Sequence, residues 1–300
     1  TIELMTMNYA KPDYLISTAD LDTAIANNPS RLRLFDVTIS LVPSAQGYNA
    51  VSGFDDYQQA HIPGTAFMDI VRDLSDTSSG LGFTLPSAAH LQAAYRAAGI
   101  DDDSQVVFYS SGHMMWATRA WWMLHSCGHK NVAVLDGGLL KWQQEGRDLT
   151  TELPPARSGN LLVSLDANLW ADKATTLAAV HDGDVCTINA LSPEVYSGEA
   201  KMNYGRKGHI ENSKNVFYDE LLDQGCFRSA AELQRVFSAK GLLEKQRVIA
   251  YCGGGIAATL DALALALIGH QQVAVYDGSM SEWVKDETLP LITGPEAAAD

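Results

Sequence analysis

The chain repeats itself, and the repeat limits the folds open to it. Val106-Val-Phe-Tyr-Ser-Ser-Gly-His-Met-Met-Trp-Ala-Thr118 is answered by Val248-Ile-Ala-Tyr-Cys-Gly-Gly-Gly-Ile-Ala-Ala-Thr259. In both, an apolar run ending in Tyr enters a loop of mostly small residues that opens into a helix. Asn131-Val-Ala-Val-Leu-Asp-Gly-Gly138 matches Gln272-Val-Ala-Val-Tyr-Asp-Gly-Ser279, and Trp142 and Trp283 follow at the same distance. Upstream, Ala60-His-Ile-Pro-Gly64 corresponds to Gly208-His-Ile-Glu-Asn212. Matched segments in a conserved order mean two copies of one structural unit. A length of 300 residues fits two domains of about 150 residues each.

Each copy begins with a strand-like run, Arg31-Leu-Arg-Leu-Phe-Asp36 and Asp184-Val-Cys-Thr-Ile-Asn189. Short apolar or alternating runs bounded by Asp or Asn favour strands. Helical periodicity follows over Pro86 to Ala98, Trp116 to Ser126, Ala230 to Lys240 and Ala257 to Ile268. Strands alternating with helices predict an α/β chain: two domains in tandem, each a mostly parallel sheet flanked by helices. Prolines, a glycine and small polar residues interrupt periodicity over Thr150 to Gly159. The expected division is an N-terminal domain over 1–152, a linker over 153–160 and a C-terminal domain over 161–300.

Composition narrows the partners. Hydrophobic residues make up 46% of the chain, charged ones 19%, and the formal net charge is −15. Such acidity disfavours a nucleic-acid backbone, whose binding depends on neutralising phosphates. It also means that an anionic substrate must be drawn in by local basic groups. No run of 18 apolar residues suggests a membrane span. The four cysteines, Cys127, Cys186, Cys226 and Cys252, form no CxxC pair and are too few for a disulfide framework or a zinc site. No metal and no organic cofactor is expected. The first residues lack a basic segment followed by an apolar run, so the expected location is the cytoplasm. A periplasmic location is the alternative if a signal peptide has been removed.

One copy carries chemistry that the other lacks. Cys252 stands just past an apolar run, followed by Gly253, Gly254, Gly255, Ile256 and Ala257 and then a helix. A strand-to-helix turn points several backbone N–H groups inward, and with the positive end of the helix these stabilise an anion without a basic side chain. A thiolate in that cradle has a lowered pKa. The stripe Leu260, Leu263, Ala264 and Leu267 would anchor the helix behind it. Such a thiolate can take sulfur from a donor, hold it as a persulfide and pass it to a nucleophile. The first copy has Ser110 in the cysteine's place. The other three cysteines lie in apolar patterns and read as core residues.

Two other motifs compete for this loop. Phosphatase chemistry needs an arginine six positions after the cysteine, and Ala258 stands there. Gly253 to Ala258 fits a dinucleotide fingerprint, but about 50 residues remain after it, too few for the rest of that fold.

With these residues the chain resembles the tandem rhodanese-type sulfurtransferases, the thiosulfate/3-mercaptopyruvate sulfurtransferase family. The resemblance rests on Ala60-His-Ile-Pro-Gly-Thr65, Arg119-Ala-Trp-Trp-Met-Leu124, Gly128 to Gly138, Tyr276 to Trp283 and the Cys252 loop. It implies an inactive N-terminal domain, a catalytic C-terminal domain and a substrate cleft between them. Thiosulfate-directed members resemble Cys-Arg-Lys-Gly after the nucleophile, and mercaptopyruvate-directed ones Cys-Gly-Ser-Gly-Val-Thr. The loop Cys252-Gly-Gly-Gly-Ile-Ala257 is nearer the second form, with Gly254 in place of the serine. Asn189-Ala-Leu-Ser replaces the family's Asp-Ala-Arg-Ser, so Leu191 stands where an arginine would grip a carboxylate.

Lys201, Arg206 and Lys207 are the candidates to capture the anion instead. Arg119 is a candidate for the cleft wall. His113, beside Met114, Met115 and Trp116, is a candidate wall for an atypical donor, although core packing reads better for that group. His61 and His209 read better as structural hydrogen-bonders, with His61 also a candidate to face the cleft. Trp142 and Trp283 read as core or interface anchors. The expected protein is a monomeric sulfurtransferase moving sulfur from a small anionic donor, 3-mercaptopyruvate before thiosulfate, to a thiol or cyanide. A protein thiol is a further acceptor. The alternatives are a sulfur-relay or binding module without small-molecule turnover, and an enzyme for an atypical donor.

Overall fold

Runs such as Val106-Val-Phe-Tyr and Val273-Ala-Val-Tyr are buried along their whole length, as strands must be when helices cover both faces of a parallel sheet. The computed structural model describes residues 8–27, 30–44 and 47–296. The N-terminal question raised by a signal peptide falls partly on residues 1–7, which lie outside the described residues.

Five strands form the first sheet: β1 (Leu15–Ile16), β2 (Leu32–Asp36), β3 (Thr65–Phe67), β4 (Gln105–Tyr109) and β5 (Val132–Leu135). Their order is β1-β5-β4-β2-β3, all parallel. The second sheet holds β6 (Trp170–Ala171), β7 (Val185–Asn189), β8 (Lys214–Asn215), β9 (Arg247–Tyr251) and β10 (Val273–Tyr276). Its order, β6-β10-β9-β7-β8, is the first order again, also all parallel. The duplication read in the sequence is therefore a duplication of topology.

The predicted helices form as α1 (Ala88–Ala97), α2 (Met115–Ser126), α3 (Ala230–Ala239) and α4 (Ala258–Leu267). Ser87 starts α1 by accepting the His90 N–H at 3.2 Å. Ser229 and Glu232 form a reciprocal capping box at the start of α3. Helix α4 differs from its expected one-sided stripe: Ala258 to Leu265 and Leu267 are all buried. A helix buried all round sits inside the domain, here against β9, β10 and α3.

The chain divides into two compact units, one of residues 13–166 with 224–226, the other of 167–223 and 227–296 with residues 8–12. Residues 153–160, expected as a linker, thus belong to the first unit. The Gly159 N–H donates to Arg96 O at 2.7 Å and the Leu161 N–H to Ile100 O at 3.1 Å. Residues 8–12 join the second unit, where the Ala10 N–H donates to Leu267 O at 2.8 Å.

Each unit repeats one polar knot in its core. His61 stacks on Tyr57 with ring centroids 4.1 Å apart, and His209 on Tyr196 at 3.6 Å. Their Nδ1 atoms lie 2.7 and 2.8 Å from the carbonyl oxygens of those same tyrosines. The hydroxyls of Tyr109 and Tyr251, at the ends of β4 and β9, accept the N–H groups of Ile62 and Ile210. Trp142 and Trp283 are buried, each donating its indole N–H to a carbonyl, Asp148 O and Pro290 O.

Candidate active site

Cys252 follows β9 directly, at the carboxyl end of the second sheet, where ligands of open α/β sheets bind. Its loop carries no polar side chain, so every polar contact it offers comes from the backbone. Gly255 has φ +76, a conformation that favours glycine, and turns the chain into α4. Ala257 begins that helix with no side-chain cap. Among the described residues, no acceptor faces the N–H groups of Gly253, Gly254, Ile256 or Ala257. These are the orphan donors of a helix N-terminus.

The silent copy shows the opposite state. Thr38 Oγ1 accepts the Ser111 N–H at 2.8 Å, and Ser110 Oγ accepts the Gly112 N–H at 3.1 Å. His113 Nδ1 accepts the Met115 N–H at 3.1 Å. The first loop therefore fills its cradle with its own side chains. In the second loop the counterparts of Thr38 and Ser110 are Leu191 and Cys252, and Leu191 has no side-chain oxygen to offer.

The loop is held from behind by the turn after β10. Ser279 has φ +48, unusual for a residue with a side chain. Its hydroxyl donates to Tyr276 O at 2.7 Å and accepts the Cys252 N–H at 3.1 Å. Met280 and Ser281 N–H groups donate to Cys252 O at 3.0 Å and Gly253 O at 2.9 Å. Cys252 itself is only 2% exposed. In front of it stand two tyrosines. A Cβ at residue 253 would overlap the Tyr204 hydroxyl and ring as they lie, so the phenol rests directly against Gly253. Burial, Asp219 and Cys252 raise the Tyr218 phenol above its ordinary range.

The candidate anion-capturing residues differ in their surroundings. Arg206 is committed to the backbone, donating to Asp286 O at 3.0 Å and Leu289 O at 3.2 Å. Lys201 and Lys207 are exposed. Arg119 is 0% exposed and donates to Phe83 O within the first unit. His61 is 0% exposed with both ring nitrogens against carbonyls, Tyr57 O and Glu152 O. It is a core residue of the first unit. His113 is half-buried and caps α2, while Trp116 packs against Phe83 in the core. Burial pushes the Cys127 thiol up to about 12 and the Cys186 thiol up to about 11, as inert core cysteines require.

Tyr204, Tyr218 and Ser279 escaped the sequence reading. Ser279 had a signal: the repeat places it opposite Gly138, whose φ is +56. Tyr204 had none, because residues 198–207 follow no period and match nothing in the first copy.

A model of the rhodanese-like domain matches residues 20–145 and again 174–286. The chain belongs to the rhodanese family. It is a tandem-domain sulfurtransferase of the thiosulfate/3-mercaptopyruvate type, similar over most of its length to relatives that carry those names. The Mycobacterium tuberculosis protein SseB is 37% identical over 243 residues, 79% of this chain and 85% of that one. The 3-mercaptopyruvate sulfurtransferase of Escherichia coli K12 is 32% identical over 238 residues, 79% of this chain and 84% of the relative. The crystal structure of the E. coli 3-mercaptopyruvate sulfotransferase SseA superposes with a TM-score of 0.78 at 28% identity. It covers 90% of this chain and 99% of that one.

Proposed function

We propose that Cys252 is the nucleophile and persulfide carrier of this sulfurtransferase, with 3-mercaptopyruvate favoured over thiosulfate as donor. The observation that carries this reading is the contrast between the loops: amides filled by Thr38 and Ser110 in one, amides without acceptors around Cys252 in the other. Open amides aimed at one sulfur stabilise a thiolate and any anion that develops beside it. In the first step the thiolate attacks the donor sulfur. A sulfur–sulfur bond forms, the carbon–sulfur bond breaks, and the electron pair leaves with carbon as the enolate of pyruvate. In the second step a thiol or cyanide takes the outer sulfur and returns the cysteine to its thiolate. The absence of basic side chains at Gly253 and Gly254 favours a donor other than thiosulfate.

The relatives carry both names, a putative thiosulfate sulfurtransferase in Mycobacterium tuberculosis and a 3-mercaptopyruvate sulfurtransferase in Escherichia coli, so the choice of donor rests on the loop. The setting we propose is the cytoplasm, with the protein working as a monomer. All four cysteines are free, as reducing compartments favour. No helix among the described residues is long and apolar enough to cross a membrane. The test is intact-protein mass spectrometry after exposure to each donor, followed by acceptor turnover. Gain of one sulfur atom at Cys252 and its loss to acceptor are expected. Full turnover by a Cys252→Ser variant would end the proposal.

A second reading, a relay or binding module without small-molecule turnover, draws support from the 2% exposure of Cys252. It expects a persulfide that passes to a protein thiol but to no small acceptor.

A further inference from the structure

Breaking a carbon–sulfur bond leaves a carbanion that needs a proton, and the loop around Cys252 has none to give. Residues 253–257 are Gly, Gly, Gly, Ile and Ala. The backbone amides stabilise charge but do not deliver protons. A side chain outside the loop is needed if the protein itself is to supply that hydrogen.

Tyr204 stands where such a donor is needed. Its hydroxyl, Cζ and Cε1 press on Gly253, where an added Cβ would overlap them. That hydroxyl makes no hydrogen bond among the described residues, so its proton is uncommitted. The segment that carries the ring is held on both sides. Asn203 Oδ1 accepts the Gly205 N–H at 2.9 Å, a local side-chain turn. Two residues on, the Arg206 guanidinium is fastened to Asp286 O and Leu289 O. Burial, and then the neighbouring Cys252 and Tyr218, raise the phenol above the ordinary tyrosine range. It therefore stays protonated at working pH while standing close enough to the sulfur for their charges to interact.

We propose that Tyr204 is the proton donor of the first half-reaction, delivering its hydroxyl proton to the enolate released from the sulfur donor. This rests on the reading of Cys252 as a persulfide carrier fed by 3-mercaptopyruvate. The step balances: thiolate, phenol and donor thiol become a protonated persulfide, a phenolate and pyruvate. The persulfide proton then returns to the phenolate, leaving a persulfide anion ready for the acceptor. Arg206 is in this scheme a positioning residue, since it acts only through the segment carrying Tyr204.

The scheme predicts an effect that depends on the donor. Inorganic polysulfide releases a sulfur anion, which leaves without carbon protonation, whereas 3-mercaptopyruvate does not. Persulfide formation at Cys252 is measured by rapid quench and mass spectrometry, in wild type and Tyr204→Phe, with each donor. The variant should lose about 10²-fold in rate with 3-mercaptopyruvate, the usual scale for a general acid, and stay within a few-fold with polysulfide. Equal slowing with both donors would assign Tyr204 a packing role only and overturn the proposal. An unchanged rate with 3-mercaptopyruvate would overturn it as well. Tyr204→Leu, which removes the hydroxyl with a smaller apolar side chain, should give the same donor-specific loss and carries the test if Tyr204→Phe does not fold. A wild-type protein that loads sulfur from polysulfide but never from 3-mercaptopyruvate would instead remove the donor assignment, and this proposal with it.

Discussion

Asp36 and Asn189 occupy one turn in the two repeats. Each ends the second strand of its sheet, and each side-chain oxygen accepts the N–H two residues on, Thr38 at 2.9 Å and Leu191 at 2.8 Å. The geometry is shared but the charge is not. Asp36 is 1% exposed. Burial pushes its carboxyl up to about 6, against the opposing hydrogen bonds from Thr38.

Stability should therefore depend on pH through Asp36. Its folded pKa is raised, so its contribution is fully present below about pH 4 and is lost as pH rises through about 6. A shift of about two units corresponds to about 3 kcal/mol. Asp36→Asn, the residue used by the other repeat, keeps the acceptor and removes the titration. Urea unfolding between pH 4 and 7 should show wild type falling relative to the variant. Parallel curves would contradict this account.

Asp261 poses the same problem without relief. It lies inside α4 at 0% exposure, and neither carboxyl oxygen has a hydrogen-bond partner. Burial, and then Glu220, raise its pKa well above the carboxylate range. Asp261→Leu should stabilise the protein by about 1–3 kcal/mol at neutral pH, since an unsatisfied buried group is replaced by an apolar one of similar size. A lower melting temperature would show that the carboxyl has a compensating partner.

The cations of residues 201–207 should separate cleanly. Arg206→Ala removes two charge-assisted hydrogen bonds to backbone carbonyls and should cost about 1.5–3 kcal/mol each. Lys201→Ala and Lys207→Ala, on exposed positions, should stay within about 0.5 kcal/mol. Thermal melts decide the matter. A KM for donor that rises many-fold in either lysine variant would restore the anion-capturing role.

His61 and His209 should behave as a pair. Each is buried, stacked on a tyrosine and bonded to its carbonyl. Replacement of either by Ala should cost about 2–4 kcal/mol in unfolding free energy. For His61→Ala, persulfide formation per folded molecule should match wild type. A rate loss beyond the loss of folded protein would return His61 to the site.

Sequence alone determined the repeated α/β topology, the alternation of strands and helices, and the cysteine loop with its serine-bearing partner. These are local properties: apolar periodicity, glycine at a strand end, and the order of matched segments all act through near neighbours in the chain. It also placed helices α1 to α4 within one or two residues of their ends. Tertiary structure decided which side chains stand before Cys252. Tyr204 reaches Gly253 across 49 residues of chain, from a segment with no period to betray its direction. Arg119, His61 and Arg206 looked available because each is polar, and only burial and bonding partners show them consumed by the fold. A residue's type states what chemistry it can do, but its exposure and hydrogen bonds, set by contacts far apart in sequence, state whether that chemistry is free to act.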